Sequence, residues 1–454
     1  MKEWLKKFIP SWLFSFYHWV WALLGALVYR FPGRDLKIIG ITGTNGKTTV
    51  VHLLSEILQR AGFKVASISS LRFQIDEREW LNDLKMTMPG RLKIQQFLAS
   101  AEKAGCSHVI LEVTSEGIKQ HRHLFIPFSG AVLTNVTKEH LEAHGGFENY
   151  KRAKMRLFEA VANYQKPDNF SVVNLDDPTA PGFLNFNADK KIGYSLQGPA
   201  TKSQKLDSRH LAPGARLLAA EKIKQTKEGT NFVLNNEVFK TSLLGAFNVA
   251  NALAAIGAAY ALGLTNAPIR TALERFSGAA GRLEFITHKP FRVVVDYAHT
   301  PDALSKVYET LLGYSQKGKG IRREGGLICV LGATGGGRDK WKRPELGKLA
   351  AQFCERVIVT NEDPYDEDPA AIIEAAAQGV RGAGKTPEII LDRKEAVARA
   401  VNLARANDTV IITGKGAEPW MVMAGGKKIP WDDRLIAKQA LAGVKGVKPR
   451  HENG

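Results

Sequence analysis

The stretch GITGTNGKTT, Gly40 to Thr49, carries residue types that can hold a polyphosphate. Gly43 and Gly46 let backbone N–H groups turn toward phosphate oxygens, Lys47 reaches β and γ phosphates, and Thr48 offers a hydroxyl to magnesium. Thr44, Asn45 and Thr49 complete the loop, and the helix that follows adds the favourable end of its dipole. The strict spacing GxxxxGK[ST] is not met, because Ile41 stands where the first glycine belongs. Two further groups extend the chemistry. Glu112 ends the apolar run HVILE, where a carboxylate is badly placed unless it meets a cation, and His140 and His144 follow another such run. A hard cation bridging phosphates would use carboxylate, hydroxyl and water oxygens, with an imidazole at most. Lys154, in KRAKMR, reads on its own as a solvated helical lysine.

These groups need strands that end beside one another. LKIIGIT, KVASISS, HVILEVT and AVLTNVT are short apolar runs alternating with helical spacing such as TTVVHLLSEILQRAG, which stops at Gly62. Such alternation predicts an α/β protein built on a mostly parallel sheet with helices on both faces. Residues 171 to 243 read as a β-rich excursion, and LGAFNVANALAAIGAAYALGL as an Ala-rich helix. SGAAGR, at 277 to 282, offers a joint, and beyond it FRVVVDYAH, LICVLGAT, RVIVTNEDP and TVIITGKG describe a second, Rossmann-like α/β domain with ligand loops at strand ends. The division is therefore 1–35, a hydrophobic N-terminal segment; 36–280, a central P-loop ATPase domain; and 281–454, a C-terminal domain. The tail VKGVKPRHENG reads as disordered.

Residues 8–29 contain no Lys, Arg, Asp or Glu and include Trp12, Trp19 and Trp21. A short hydrophobic helix lying on a membrane surface, a spanning helix, or one packed on the protein all fit that composition. His18 within it reads as a packing residue. The net charge of +18 permits anionic partners, but no basic run interleaved with aromatics points to nucleic acid. Cys106, Cys329 and Cys354 are widely spaced and odd in number, so all three read as small buried hydrophobes in a reducing compartment.

The variant loop GTNGKTT resembles that of the Mur ligases, ATP-dependent enzymes that join an amino acid or peptide to a carboxylate of a UDP-linked muramyl precursor. LEVTSEGIKQHR (111–122) resembles the family motif EVSSHxLxQxR, and TNVTKEHLEAHGGFENYKRAKMRLF (134–158) resembles TNxxxDHLDxHGxxxxYxxAK. The resemblance implies Glu112 and His140 as magnesium ligands beside Thr48, and Lys154 as a lysine carbamylated by CO2 that helps hold a second magnesium. It implies Thr87, Thr114, Gln120 and Arg122 as contacts of the muramyl peptide. GAFNVANALAA implies Asn248 near adenine, VVVDYAHTPDAL implies Asp296 and His299 on the nucleotide with Tyr297 beside them, and LGATGGGRDKWKRPELG implies Arg338 and Lys342 on phosphate charge. Gly414 and Glu418, in ITGKGAEPW, fall in the segment that resembles GKGHE.

VTNEDPYDEDP (359–369) is similar to the family's TSDNPRxEDP, with Glu362, Asp363 and Tyr365 in the D, N and R places. In members that add meso-diaminopimelate, that arginine pairs with the distal carboxylate of the acceptor, a fork contact tyrosine cannot supply. Extra negative charge and a missing arginine point to lysine or another diamine-bearing acceptor, with diaminopimelate still open. The resemblance spans about residues 36 to 440 and is closest to the branch adding the third peptide residue. It implies an acyl phosphate formed with ATP and Mg2+ by a cytoplasmic enzyme; a monomer without a nucleic-acid partner is expected, and the composition of residues 8–29, not the resemblance, adds contact with the inner face of the cell membrane as an expectation. About 35 residues precede the loop, where the family has a uridine-binding domain, so UDP recognition is expected to be reduced, relocated or absent. That keeps open a folylpolyglutamate synthase type of ligase, and a membrane-attached nucleotide-binding scaffold without catalysis.

Overall fold

A computed structural model describes residues 10–84, 86–197, 215–226, 228–315 and 325–444. The tail from 445 onward and Phe8 and Ile9 of the hydrophobic segment lie outside the described residues. The chain divides into two compact units, the described residues of the first lying up to Lys138, in Gly145–Lys224 and in Glu228–Ser277, and the second taking Glu139–His144, Gln225 and Thr226, and the described residues from Gly278 onward.

In the first unit nine strands run in the order Arg78–Leu81, Arg72–Ile75, Val65–Ile68, His108–Glu112, Lys37–Thr42, Phe128–Leu133, Phe170–Asn174, Lys190–Ser195, Arg216–Ala219. From Val65–Ile68 onward neighbours are parallel; the first two strands fold back as antiparallel extensions. Side chains alternate across the sheet with period two. Ile39, Ile41, Ile110 and Val132 enter a core under helices Lys47–Arg60 and Ala246–Ala261, while Ile38, Val109, Leu111, Ala131 and Leu133 enter one under Arg91–Lys103 and Phe147–Tyr164. Both faces are covered, which is why these strands read as continuous apolar runs.

The part expected to be β-rich, 171 to 243, holds six strands among the described residues, but they do not form one separate excursion. Phe170–Asn174, Lys190–Ser195 and Arg216–Ala219 continue the main parallel sheet, and a separate three-stranded sheet holds only Glu221–Gln225, Thr230–Leu234 and Glu237–Thr241. The connection through helix Ala180–Leu184 is short, so it left little helical periodicity to read.

The second unit is a six-stranded sheet in the order Glu284–Thr287, Arg292–Asp296, Thr409–Thr413, Leu327–Leu331, Arg356–Val359, Glu388–Ile389, parallel except for the first strand. Cys329 and Cys354 are buried, as read, but form a disulfide here, a pairing the sequence reading did not include. Helix Lys342–Phe353 returns Cys354 to the strand carrying Cys329, with Cα atoms 6.1 Å apart, a closeness that a separation of 25 residues conceals. Cys106 is buried and free, as read, but the cysteines no longer speak for a reducing compartment.

Helix Ser11–Val28 packs through Ala22, Gly25 and Ala26 on Arg91–Lys103. Among the described residues no helix is long and apolar enough to cross a membrane. His18 is a packing residue as read, and its Nδ1 meets a guanidinium nitrogen of Arg91.

Two other histidines give the first unit an acid sensitivity. Burial, with Lys37, pushes His108 down to about 4, and burial, with His121 and Arg156, pushes His123 down to about 3. Both are neutral in the fold at pH 7. An unfolded chain takes up these protons below about pH 6.5, so it binds more of them across the window down to pH 4, and stability falls as pH drops through it. The urea midpoint of the first unit is expected to decline between pH 7 and pH 4.5, and less steeply in His123→Gln. A midpoint that stays level would contradict this assignment.

Candidate active site

The loop between strand Lys37–Thr42 and helix Lys47–Arg60 turns at Gly43 (φ 149°) and Gly46 (φ 84°). A Cβ at Gly43 would lie 1.9 Å from Thr134 Oγ1, and one at Gly46 would lie 2.2 Å from Asn251 Oδ1. Glycine is thus required at both places by conformation and by crowding. Lys47 Nζ donates to the carbonyls of Gly43 (3.1 Å) and Thr44 (2.9 Å), curling over its own loop. Thr44 is held from the neighbouring strand end: its N–H donates to Asn135 O, and its hydroxyl bonds Tyr150 Oη at 2.9 Å. Asn45 N donates to Asn135 Oδ1 at 2.9 Å, and Thr49 is buried at the helix start.

Thr48 Oγ1 donates to Glu112 Oε2 at 2.9 Å and bonds Ser70 Oγ at 2.8 Å, while Ser70 N donates to the same carboxylate oxygen. Glu112 ends its strand buried, 4 % exposed. A hydroxyl and a carboxylate clustered beside a phosphate loop form an oxygen donor set that fits magnesium, with phosphate and water oxygens supplying the remaining ligands. Lys154 is also buried, 2 % exposed. Its Nζ donates to Gly43 O at 2.7 Å and lies 4.4 Å from the centre of the Tyr150 ring. Tyr150 and Lys154 are four apart on helix Phe147–Tyr164, so one helical face delivers both to the loop. The solvated-lysine reading of KRAKMR is thereby overturned.

Asn248 donates to Leu244 O and accepts from Asn251, so within the Ala-rich helix it positions Asn251 against Gly46. Sequence reasoning missed Asn135, Tyr150 and Asn251; the polar positions in TNVT and in an otherwise Ala-rich helix were the available signal. Of the residues expected to contact the muramyl peptide, Arg122 donates to Met88 O and to Gln120 Oε1, bringing both residues to the loop that carries Thr87. Thr114 uses its hydroxyl to cap helix Ser115–Lys119.

His140 belongs to the segment grouped with the second unit, whereas Thr48, Glu112 and Lys154 belong to the first. It has φ 54°, a conformation uncommon outside glycine, and His144 N donates to its carbonyl. Glu139, which stands where the similar motif TNxxxDHLDxHGxxxxYxxAK has aspartate, is buried and its carboxylate hydrogen-bonds His299 Nε2 at 3.1 Å. Burial pushes its carboxyl up, but the His299 bond, His140 and Lys342 prevail and hold it well below the usual range. Asp296 accepts from Leu283 N and Ala298 N, and burial raises it from the ordinary carboxylate value.

The EDPY loop centres on a residue the sequence did not single out. Lys415, fully buried, donates to Asp363 Oδ2 (2.9 Å) and Glu418 Oε2 (2.5 Å), and Glu418 in turn accepts from Tyr297 Oη at 3.0 Å. Asp363 is therefore internally neutralised, which removes one of the two charges expected to attract a cationic amine. Glu362 accepts from Thr334 at 2.6 Å, and its Oε2, crowded against Gly414, has no hydrogen-bond partner among the described residues. Tyr365 lays its ring on Gly336, and Arg338 has Tyr297, Tyr365, Glu139 and Glu418 as electrostatic neighbours, so it faces the EDPY loop of its own unit.

Among the described residues no group of three or more His, Cys, Asp or Glu is arranged to hold a metal by itself.

Residues 41–259 match the Mur ligase middle domain, and residues 281–416 match the Mur ligase glutamate ligase domain. The chain is 37% identical to the UDP-N-acetylmuramyl-tripeptide synthetase of a Roseiflexus species, over 93% of this chain and 81% of that one. It is 35% identical to the UDP-N-acetylmuramoyl-L-alanyl-D-glutamate--2,6-diaminopimelate ligase of Halalkalibacterium halodurans, over 92% and 81%. A solved structure of a ligase with that last name superposes with a TM-score of 0.58 at 31% identity, covering 90% of this chain and 79% of that one. The folylpolyglutamate synthase of Mycobacterium tuberculosis superposes with a TM-score of 0.63 at 16% identity, covering 95% and 96%, which shows a shared fold alone. With both domains matched and relatives this similar over most of its length, the chain belongs to the Mur ligase family, ATP- and Mg2+-dependent ligases that form an amide from a carboxylate and an amine and release ADP.

Proposed function

We propose that the protein joins an amino acid to the D-glutamyl carboxylate of UDP-N-acetylmuramoyl-L-alanyl-D-glutamate, making a peptidoglycan precursor. The observation that carries this reading is the buried Lys154 seated on Gly43 of the phosphate loop, next to Thr48 and Glu112. A loop that only bound nucleotide would have no use for a buried lysine there, which disfavours the inactive scaffold.

The substrate carboxylate attacks the γ-phosphorus of ATP to give an acyl phosphate and ADP, and the acceptor amine then attacks the acyl carbon, displacing phosphate and losing a proton to leave the amide. Lys47 swings from its own loop carbonyls to the transferring phosphoryl group, and the loop N–H groups orient its oxygens. Thr48 and Glu112 would hold magnesium, with His140 as a further ligand; bound there, the ion neutralises charge developing on the phosphates. Lys154 as a carbamate would exchange a buried cation for an anion able to hold a second ion. Thr87, Thr114, Gln120 and Arg122 are the proposed contacts of the muramyl peptide, and Asn248, Asp296 and His299 those of the nucleotide. Arg338, from its neighbours, is better suited to the acceptor's carboxylate than to phosphate. Glu362, Asp363, Tyr365, Gly414 and Glu418 surround the acceptor. The protein in this reading is a monomer at the cytoplasmic side of the membrane, touching it through residues 8–29.

The acceptor is inferred to be lysine or a similar diamine. Tyr365 offers no fork to a distal carboxylate, and the unpartnered Glu362 Oε2 favours a donor. The test is ADP release with the UDP-muramyl dipeptide against lysine and diaminopimelate, with and without bicarbonate. Lysine is expected to be preferred about tenfold or more, Tyr365→Arg to move preference toward diaminopimelate, and bicarbonate to stimulate. Preference for diaminopimelate would refute the acceptor assignment, bicarbonate indifference would refute the carbamate, and no release with any amino acid would sink the substrate.

A further inference from the structure

The helix Ser11–Val28 has two unlike sides. Its inner side is built of small residues, so it sits close: a Cβ on Gly25 would lie 3.3 Å from Leu92 Cα. The seat is polar at its edge, where Ser15 Oγ bonds His121 Nε2 at 2.7 Å and His18 meets Arg91. The remaining side is broad and apolar, with Trp12 68 %, Phe16 56 %, Tyr17 52 % and Leu27 52 % exposed. On the supporting helix Leu92 is 41 % exposed beside it, so the apolar surface does not stop at the helix edge. An apolar face this continuous marks a contact site.

The charges around it indicate the occupant. The first 35 residues carry Lys2, Lys6, Lys7, Arg30 and Arg34 against only Glu3 and Asp35. Arg30 and Arg34 are exposed at the C-terminal end of the helix, and Lys93 is exposed next to Leu92. A second copy docked through the same patch would set like charges against each other. A sheet of anionic head groups over an acyl interior satisfies both the rim and the face, and Trp and Tyr favour that boundary.

We infer that the outer face of helix Ser11–Val28 docks in the interface of an anionic lipid bilayer, lying along it without crossing. This rests on the membrane-contact part of the reading above and not on its chemistry. The same helix is seated on the 120–125 loop, through His121 and through Trp19 against Phe125 (6.2 Å between ring centres), so docking turns the Gln120 and Arg122 end of the first unit toward the lipid.

The test is co-sedimentation of the full chain with phosphatidylglycerol-containing vesicles and with pure phosphatidylcholine vesicles, with light scattering in parallel. Binding to the anionic vesicles is expected to be at least about tenfold tighter and to weaken with salt. The variant Trp12→Ser, Phe16→Ser, Leu27→Ser should lose it by about tenfold or more while keeping its circular dichroism and ADP release, and Arg30→Glu, Arg34→Glu should abolish the preference for anionic lipid. Equal binding to both vesicles would overturn the charge argument. No vesicle binding, with a dimer that the triple serine variant dissociates, would give the face to a second copy. Because vesicle binding is read without turnover, a chain that sediments but releases no ADP would support the docking surface and count only against the ligase chemistry.

Discussion

Lys47→Ala is expected to lower the rate of acceptor-dependent ADP release by roughly 10²–10³-fold, the loss seen when one preorganised charge is removed from a developing oxyanion. Its stability should hardly change. Among the described residues Lys47 Nζ hydrogen-bonds two carbonyls of its own loop, Gly43 O and Thr44 O, at 3.1 and 2.9 Å. Such bonds contribute about 1 kcal/mol each, and these carbonyls can turn to water once the side chain is gone. The effect should therefore fall on kcat, with the melting temperature within a few degrees of the parent. Single-turnover ADP release and a thermal melt on one preparation separate the two. A variant that turns over at the parent rate would mean that phosphoryl transfer does not occur at this loop.

The largest expected loss of stability lies in the second unit. Arg393, at the start of helix Arg393–Leu403, donates through Nε and Nη2 to the two oxygens of Asp433, at 2.9 and 2.7 Å, and through Nη2 to Thr413 O at 2.7 Å. Both side chains are essentially unexposed, at 1% and 0%. Arg393→Ala leaves Asp433 buried with Trp431 Nε1 as its remaining side-chain donor. Breaking a buried pair from one side costs about 3–5 kcal/mol, because a charge is left without its counterpart. For a unit of this size that is a fall of roughly 6–20 °C in its melting transition. The double variant Arg393→Met, Asp433→Leu removes both charges and should recover most of the loss. If the single variant melts with the parent, the pair is not what joins the two helix starts to the sheet. Arg393 also lies in Coulombic range of Glu362 and Asp363, so this framework stands directly behind the EDPY loop.

Where a feature is local, spacing alone was enough to read it. A strand buried on both faces must be apolar throughout, and a phosphate loop must have glycine where φ is positive, so KIIGIT and GTNGKTT are legible from a dozen residues. The same holds for the second domain, whose four main strands each end in a polar or glycine-bearing loop. The extension of the first sheet through Phe170–Asn174 and Lys190–Ser195 was not legible, because strand membership depends on partners far away in the chain.

The sequence by itself thus determined the residue chemistry: a nucleotide loop, a carboxylate at a strand end, a helix of tryptophans without charge, and an EDPY loop with tyrosine where the similar family segment has arginine. Tertiary structure alone decided which of those groups are already engaged. It neutralised Asp363 with Lys415, set Glu139 on His299, joined Cys329 to Cys354, and turned Lys154 from a lysine that periodicity assigns to solvent into a buried one on Gly43. The physical reason is common to all four. Burial and pairing are properties of groups brought together across tens to more than a hundred residues, and no local pattern of types and spacings records how far the solvent has been removed.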